Sequence, residues 1–383
     1  MNLTKSIGTS IGTSIGTSLG KLRDKVLNKP FSAMLIFSDI NISYLSTFTG
    51  HAATIILTSK ANYLLTDYRY FEQAKVQASH FTVICRDRAN QSLASLIEDL
   101  LFQDDCQELF FESEHISVML WQQIHQQVSQ LTKLRKIEPV SGAVEALRFI
   151  KSTTEIAFME QAAKIADTAL ATMLNSVKAG VTERELAIEL DYQMALLGSE
   201  EVSFATILLF GERSALPHGI PGDRQLTLGD IILIDFGAVV NGYHSDMTRT
   251  FVFGQASAEQ KHVYQLVQSA QQAAIDEVKE GVLASHLYQQ SANILLNSEY
   301  KKYAGEGLGH GVGLVLHEQP FIGPDCHIRL EKGCVFTIEP GIYIPGWGGV
   351  RIEDDVVLTD DGLKILTKSP KGLIELSAAK SYT

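Results

Sequence analysis

Two twelve-residue stretches, LTLGDIILIDFG at 226–237 and LEKGCVFTIEPG at 330–341, align without a gap. Leu226 falls on Leu330, Gly229 on Gly333, Asp235 on Glu339 and Gly237 on Gly341. Each is an apolar run of strand type that ends in a carboxylate two residues before a glycine. A buried acid is costly unless something positive answers it, and here the arrangement occurs twice. A second acid follows in each copy, Asp246 in the first and Glu353 in the second. The flanking text repeats as well. Ser152 with Glu155 has the spacing of a capping box and opens a long helix towards Val177, with Gly180 beyond its end. Thr182 with Glu185 opens a second helix that stops near Gly198, and strands follow over about 204–253. Ser257 with Gln260 opens a third helix that ends by Gly281, a fourth covers about 285–297, and strands follow again. The order helix, helix, strands is written twice. It predicts an α/β (α+β) domain of two related halves with pseudo-twofold duplication.

Asn241-Gly242 between two β-type runs is the turn signal of a two-residue hairpin. With those two residues as the loop, Val240 pairs with Tyr243, and counting back along the ladder pairs Gly237 with Asp246. Asp235 shares the face of Gly237. Asp235 and Asp246 are then diagonal neighbours with backbones roughly 7–8 Å apart. Two carboxylates so placed can hold a cation, and Gly237 is expected to leave space opposite Asp246. Taken singly, Asp235 reads as a strand-end cap and Asp246 as a solvated turn residue; the second copy of the arrangement decides for metal.

In GGVRIEDD, Arg351 and Glu353 are expected on one strand face, Glu353 joining the acids and Arg351 bracing a nearby carboxylate. The adjoining Asp354-Asp355 is expected to be a solvated strand end. GEGLGHGVGLVLHE carries glycines at 307, 309, 311 and 313, which deny it a regular helix and let the backbone approach closely. His310, between two of them, is placed as a ligand. His317, seven residues on, and His218, in the proline-bounded loop SALPHGIPGD, have structural and functional readings of equal weight. His244 counts onto the face of Asp246 but nearer the turn, a neighbour and not a ligand.

The text from about 21 to 140 reads differently. FSAMLIFS is a strand, AATIILTSKANYLLTD a hairpin, and SLASLIEDLLF and ISVMLWQQIHQQVSQL have helical spacing. This is a smaller α/β domain without a metal-type cluster of His and acid, suited to binding or assembly. Residues 1–20 contain SIGTSIGTSIGTSLG, whose apolar positions suit a helix face and whose glycines oppose one; we take it as a low-complexity repeat without chemistry. The expected division is 1–20, 21–140 and 141–383. A net charge of −12 without a basic stripe argues against nucleic acid and anionic membrane as partners. No apolar run approaches a membrane span, and the first twenty residues lack the continuous apolar region of a secretory signal. The four cysteines have no C-x-x-C spacing and read as packing residues in a reducing compartment. A soluble, cytoplasmic protein is expected.

On these residues the sequence resembles the metallopeptidase family of Xaa-Pro dipeptidases (prolidases) and aminopeptidase P, which share the pita-bread fold with methionine aminopeptidase and creatinase. The resemblance runs from about Phe31 to the C-terminus. It is carried by ALPHG, IDFGAVVNGYHSDMTRT, GHGVGLVLHE, TIEPGIY and VRIED, while NISYLSTFTG and YLLTDYRYFEQA resemble the creatinase-type N-terminal domain. It implies Asp235, Asp246, His310, Glu339 and Glu353 as ligands of two divalent metal ions per chain. Asp246 and Glu353 would bridge, Asp235 would chelate one ion, and His310 and Glu339 would complete the other. Four carboxylates and one imidazole suit Mn²⁺, with Co²⁺ or Zn²⁺ as alternatives. The resemblance further implies cleavage before proline in Xaa-Pro dipeptides or in longer peptides that begin Xaa-Pro. Glu339 would be the proton shuttle, His218 and His317 would contact substrate, and Arg351 would support the ligands. A homodimer is implied too. An aminopeptidase P acting on longer peptides and a noncatalytic pita-bread binding module are the alternatives; the intact ligand set argues against the second.

Overall fold

The computed structural model describes residues 18–377; most of the N-terminal SIGT repeat, 1–17, lies outside them. The chain divides into two compact units, Met1–Arg148 and Phe149–Thr383.

The N-terminal unit is built on a six-stranded sheet. Its order is Thr82–Cys85, Asn62–Thr66, Thr54–Thr58, Ser32–Ile36, Glu108–Glu112, Lys136–Val140. The expected hairpin is there, with Leu57 opposite Asn62. Ser32–Ile36 is buried along its whole length because both of its faces are covered. Met34 and Ile36 enter one core, and Ala33 and Leu35 the other, under the helices Leu93–Gln103 and Val118–Val128.

In the C-terminal unit the helices Thr153–Met173, Glu183–Leu196 and Ala258–Ile275 each begin at a complete capping box, on Ser152, Thr182 and Ser257. The first gives way to a 3₁₀ turn, Leu174–Ser176, before Gly180. The fourth helix, Ala284–Leu296, follows Leu283 without a side-chain cap. Among the described residues no helix is long and apolar enough to cross a membrane.

The two halves repeat in their hydrogen bonds. Gly180 N–H donates to Leu226 O (2.9 Å) and Leu226 N–H to Val181 O (2.8 Å). In the second half Gly281 N–H donates to Leu330 O (2.8 Å) and Leu330 N–H to Val282 O (2.9 Å). Gly229 and Gly333 both sit in the left-handed region, at φ 91° and 86°.

Each half then forms a long antiparallel hairpin. In the first, Ile231–Phe236 pairs with Met247–Phe253, and Val240 faces Tyr243 across Asn241-Gly242. Stepping back from that pair reaches Phe236–Met247 without a slip, which puts Gly237 opposite Asp246. In the second, Val335–Ile338 pairs with Asp354–Thr359 and Gly341–Ile344 with Gly348–Arg351. Stepping back from Ile344–Gly348 reaches Ile338–Asp354, again without a slip.

Gly237 is a glycine for a reason other than the expected one. A Cβ there would lie 1.8 Å from Ser245 O and 2.8 Å from Ser203 Cβ. The neighbouring backbone, and not space for the Asp246 carboxylate, excludes a side chain.

Candidate metal centre

Asp235 lies on the strand Ile231–Phe236 and Asp246 immediately precedes Met247–Phe253. Glu339 directly follows Val335–Ile338, and Glu353 stands between Gly348–Arg351 and Asp354–Thr359. His310 comes from the short strand Gly309–Gly311, paired to Val335–Ile338 through Gly311 and Phe336. The glycines beside His310 permit this approach: a Cβ on Gly309 would meet Thr337 O at 2.2 Å, and one on Gly311 would meet Gln319 O at 2.2 Å.

These elements bring the five side chains together. One ligand atom each from Asp246, His310 and Glu353 lies within 4.8 Å of the others. His310 Nε2 is 3.6 Å from Asp246 Oδ2 and 3.3 Å from Glu339 Oε1. The other ring nitrogen, Nδ1, is 3.0 Å from Gly311 O. A carbonyl only accepts, so the Nδ1 proton goes there and the Nε2 lone pair faces the acids. A lone pair opposed to carboxylates is an arrangement a cation resolves.

Two further observations fit a metal. Asp235 Oδ1 and Glu353 Oε1 are buried without a hydrogen-bond partner, which is costly for a carboxylate left to itself. Burial also pushes the Asp246 carboxyl well above the usual range, with Glu353 and Asp235 adding to it. Burial does the same to Glu353, reinforced by Glu339. Glu339 is raised to about 7 by burial, against the pull of Arg351. Burial lowers His310, which keeps its imidazole neutral. Divalent cations would reverse the sign of the local field and return the acids to their charged forms.

Arg351 is the organising cation of the protein itself. Its Nη2 pairs with Asp235 Oδ2, Nη1 donates to the Tyr343 hydroxyl (2.7 Å) and Nε donates to Thr248 Oγ1 (2.8 Å). Thr248 Oγ1 in turn donates to Glu353 Oε2 (2.5 Å). On the other side, Thr337 Oγ1 donates to Glu339 Oε1 (2.9 Å) and accepts from His310 N–H (3.0 Å).

All eight side chains singled out from the sequence line one cavity of about 920 Å³: Asp235, Asp246, His310, Glu339, Glu353, His218, His317 and Arg351. The His317 ring stands edge-on to His310 with centroids 4.3 Å apart. His218 is exposed in its loop. His244 faces elsewhere, its Nδ1 2.9 Å from Ser203 Oγ.

Two expectations need correction. Arg351 and Glu353 do not share a continuous strand, since Gly348–Arg351 ends before Glu353. Asp354 and Asp355 are fully buried, not a solvated strand end. Asp354 Oδ1 accepts from Arg249 Nη2 (2.7 Å) and Thr367 Oγ1 (2.8 Å). Its Oδ2 accepts from Lys371 Nζ (2.8 Å) and Gln271 Nε2 (3.0 Å). Asp355 Oδ2 accepts the backbone N–H of Asp246 (2.8 Å), which fixes the chain at that acid. Sequence reasoning missed Thr248, Arg249, Tyr343 and Asp355. Of these, Thr248 was within reach of the hairpin count, which places it opposite Asp235.

The sequence profile described as metallopeptidase family M24 matches residues 157–360, and that of the creatinase/prolidase N-terminal domain matches residues 19–150. An uncharacterised peptidase of Bacillus subtilis is 38% identical over 343 residues, covering 90% of this chain and 95% of that protein. Among solved structures, an Xaa-Pro dipeptidase from Bacillus anthracis superposes with a TM-score of 0.89 at 34% identity, over 94% of this chain and 100% of that one. An X-Pro aminopeptidase from Thermotoga maritima gives 0.83, also at 34% identity, over 90% of this chain and 97% of that one.

Proposed function

Because the chain belongs to metallopeptidase family M24, we propose that its pita-bread unit is a dinuclear metal hydrolase that cuts the peptide bond before proline, in Xaa-Pro dipeptides or in peptides that begin Xaa-Pro. The observation that carries the proposal is the set of acceptors without donors around one cavity: His310 Nε2 facing carboxylates, and the orphaned Asp235 Oδ1 and Glu353 Oε1. Asp235, Asp246, His310, Glu339 and Glu353 would hold the ions, Mn²⁺ by donor chemistry, with Co²⁺ or Zn²⁺ as alternatives. Such ions, when bound, would polarise the scissile carbonyl and acidify the attacking water.

The protein's own residues do the rest. Glu339, which lines the cavity beside the other acids, takes a proton from the attacking water and passes it to the departing nitrogen. That nitrogen belongs to a tertiary amide with no hydrogen of its own, so it must be protonated as it leaves. His218 and His317 line the same cavity and donate hydrogen bonds to the oxyanion or to the substrate. Arg351 fixes the orientation of Asp235, and Thr248 that of Glu353. A homodimer belongs to this reading through the family resemblance, and a cytoplasmic location through the cysteine spacing.

The test pairs metal analysis with hydrolysis of Xaa-Pro peptides. The protein is expected to bind two divalent ions per chain, and Asp246→Asn and Glu353→Gln to lose the ions together with roughly a thousandfold or more of kcat/KM. Full turnover by metal-stripped Asp246→Asn protein ends the proposal, and a wild-type protein that binds no ion points to a binding module.

A further inference from the structure

A dipeptide that ends in proline carries a free carboxylate one carbon from the departing nitrogen. A site made for dipeptides must answer that charge close to four acidic ligands, and a guanidinium is the group best shaped to do so. Among the described residues that line the cavity, Arg351 is the single lysine or arginine. It is 3% exposed, and its three nitrogens are engaged by Thr248, Tyr343 and Asp235. Each of its nitrogens already holds a protein partner, and its charge is matched by Asp235. The lining also holds a further acid, the exposed Glu306. His218 and His317 offer single hydrogen bonds and no bidentate grip.

Part of the remaining lining is apolar and exposed. Phe321, 52% exposed, pairs directly opposite His310, so its ring stands on the same face of the sheet. Ile220, 82% exposed, lines the cavity from the His218 loop. The volume of about 920 Å³ lies near the top of the roughly 300–1,000 Å³ usual for small-ligand pockets, which leaves room beyond proline.

We infer that the site takes peptides of three or more residues that begin Xaa-Pro, with an apolar residue favoured after the proline, and discriminates against the free Xaa-Pro dipeptide. This rests on the Xaa-Pro activity proposed for the same site. A peptide that continues past proline presents an uncharged amide where the dipeptide has its carboxylate, and its next side chain covers Phe321 and Ile220.

Full-length, Mn²⁺-loaded protein is assayed with Ala-Pro, Ala-Pro-amide and Ala-Pro-Leu. The amide has the dipeptide's size without its charge. Its kcat/KM and that of Ala-Pro-Leu are expected to exceed that of Ala-Pro by roughly 30-fold or more, the scale of an unanswered buried charge. Phe321→Ala is expected to lower kcat/KM for Ala-Pro-Leu more than for the amide. Ala-Pro cleaved as well as the other two overturns the inference and leaves the Xaa-Pro activity standing. An amide as slow as Ala-Pro beside a fast Ala-Pro-Leu overturns the charge argument. Cleavage of none of the three removes the Xaa-Pro activity and this inference with it.

Discussion

In the first half of the pita-bread unit Asp235 faces Thr248 across the hairpin, and Gly237 faces Asp246; in the second half Glu339 faces Glu353, and Gly341 faces Arg351. Asp235 and Glu339 occupy matching positions, as do Gly237 and Gly341. The second acids do not. Counted across the ladders, Asp246 falls where the other half has Arg351, and Glu353 falls where the first half has Thr248. The exchanged residues are the ones that touch: Arg351 pairs with Asp235 and donates to Thr248, and Thr248 donates to Glu353. Two copies of the first hairpin would bring four acids together with hydroxyls but no guanidinium, and two copies of the second would bring four acids with guanidiniums but no hydroxyl. The duplication supplies the scaffold, and its local breakdown supplies the charge balance of a single site.

The matching glycines break the comparison hardest. An alanine Cβ at Gly237 would lie 1.8 Å from the backbone oxygen of Ser245, which cannot move without opening the hairpin. At Gly341 the nearest atoms belong to the Tyr343 side chain, 2.6 Å from its hydroxyl. That side chain can turn, at the loss of one hydrogen bond to Arg351. Gly237→Ala is expected to cost ~3 kcal/mol or more of stability and Gly341→Ala about 1 kcal/mol. Thermal unfolding of the metal-free proteins measures both; equal losses would show that the two hairpins are packed alike.

The next effect comes from the acids that the two halves pool. Asp246, Glu353 and Glu339 have carboxyls raised by burial, with neighbouring acids adding to each, Glu339 from 4.5 to about 7. The folded, metal-free protein therefore holds protons that the unfolded chain releases. By linkage the contribution of Glu339 to stability is fully present below about pH 4.5 and is lost as pH rises through about 7, and those of Asp246 and Glu353, raised in the same direction, are likewise lost as pH rises. Metal binding displaces those protons and so gains strength over the same interval. The rise in Tm on adding Mn²⁺ to stripped protein is expected to grow from pH 5 towards pH 7.5. A Tm increment independent of pH would mean that the acids are already charged without metal.

Much of this was legible because the relevant signals are local. Ser152, Thr182 and Ser257 announce their helices within four residues, and Asn241-Gly242 sets the register that brings Asp235 and Asp246 together. Glu339 was legible through the gapless copy. What escaped depends on partners far along the chain. Asp354 reads as a surface acid until Arg249, 105 positions earlier, and Lys371 are seen to answer it. Arg351 was expected to brace some carboxylate, but its choice of Asp235, 116 positions away, follows from the packing of one hairpin on the other. Gly237 was given the wrong reason because the crowding comes from backbone, which has no signature in residue type.

Thr248→Val sharpens the comparison at the position where the halves exchange a hydroxyl for an acid. The change keeps the shape and removes both the donor to Glu353 Oε2 and the acceptor for Arg351 Nε. Metal affinity is expected to fall by about 10- to 100-fold, read by titration of stripped protein. An unchanged affinity would mean that Glu353 is oriented by the Arg249 clamp on its backbone carbonyl alone.

The smallest effect tests the part of the comparison that should hold. Gly180 and Gly281 sit at φ 83° and 79°, each donating its N–H to the matching leucine carbonyl, and an added Cβ at either would meet nothing within 4 Å. Alanine at either position therefore costs backbone strain alone, about 1–2 kcal/mol, and the two losses are expected to be equal. The turns lie away from the acids, so neither variant should alter metal affinity. If Gly281→Ala destabilises clearly more than Gly180→Ala, the halves differ in their scaffold as well as in their chemistry, and the symmetry breaking is not confined to the metal centre.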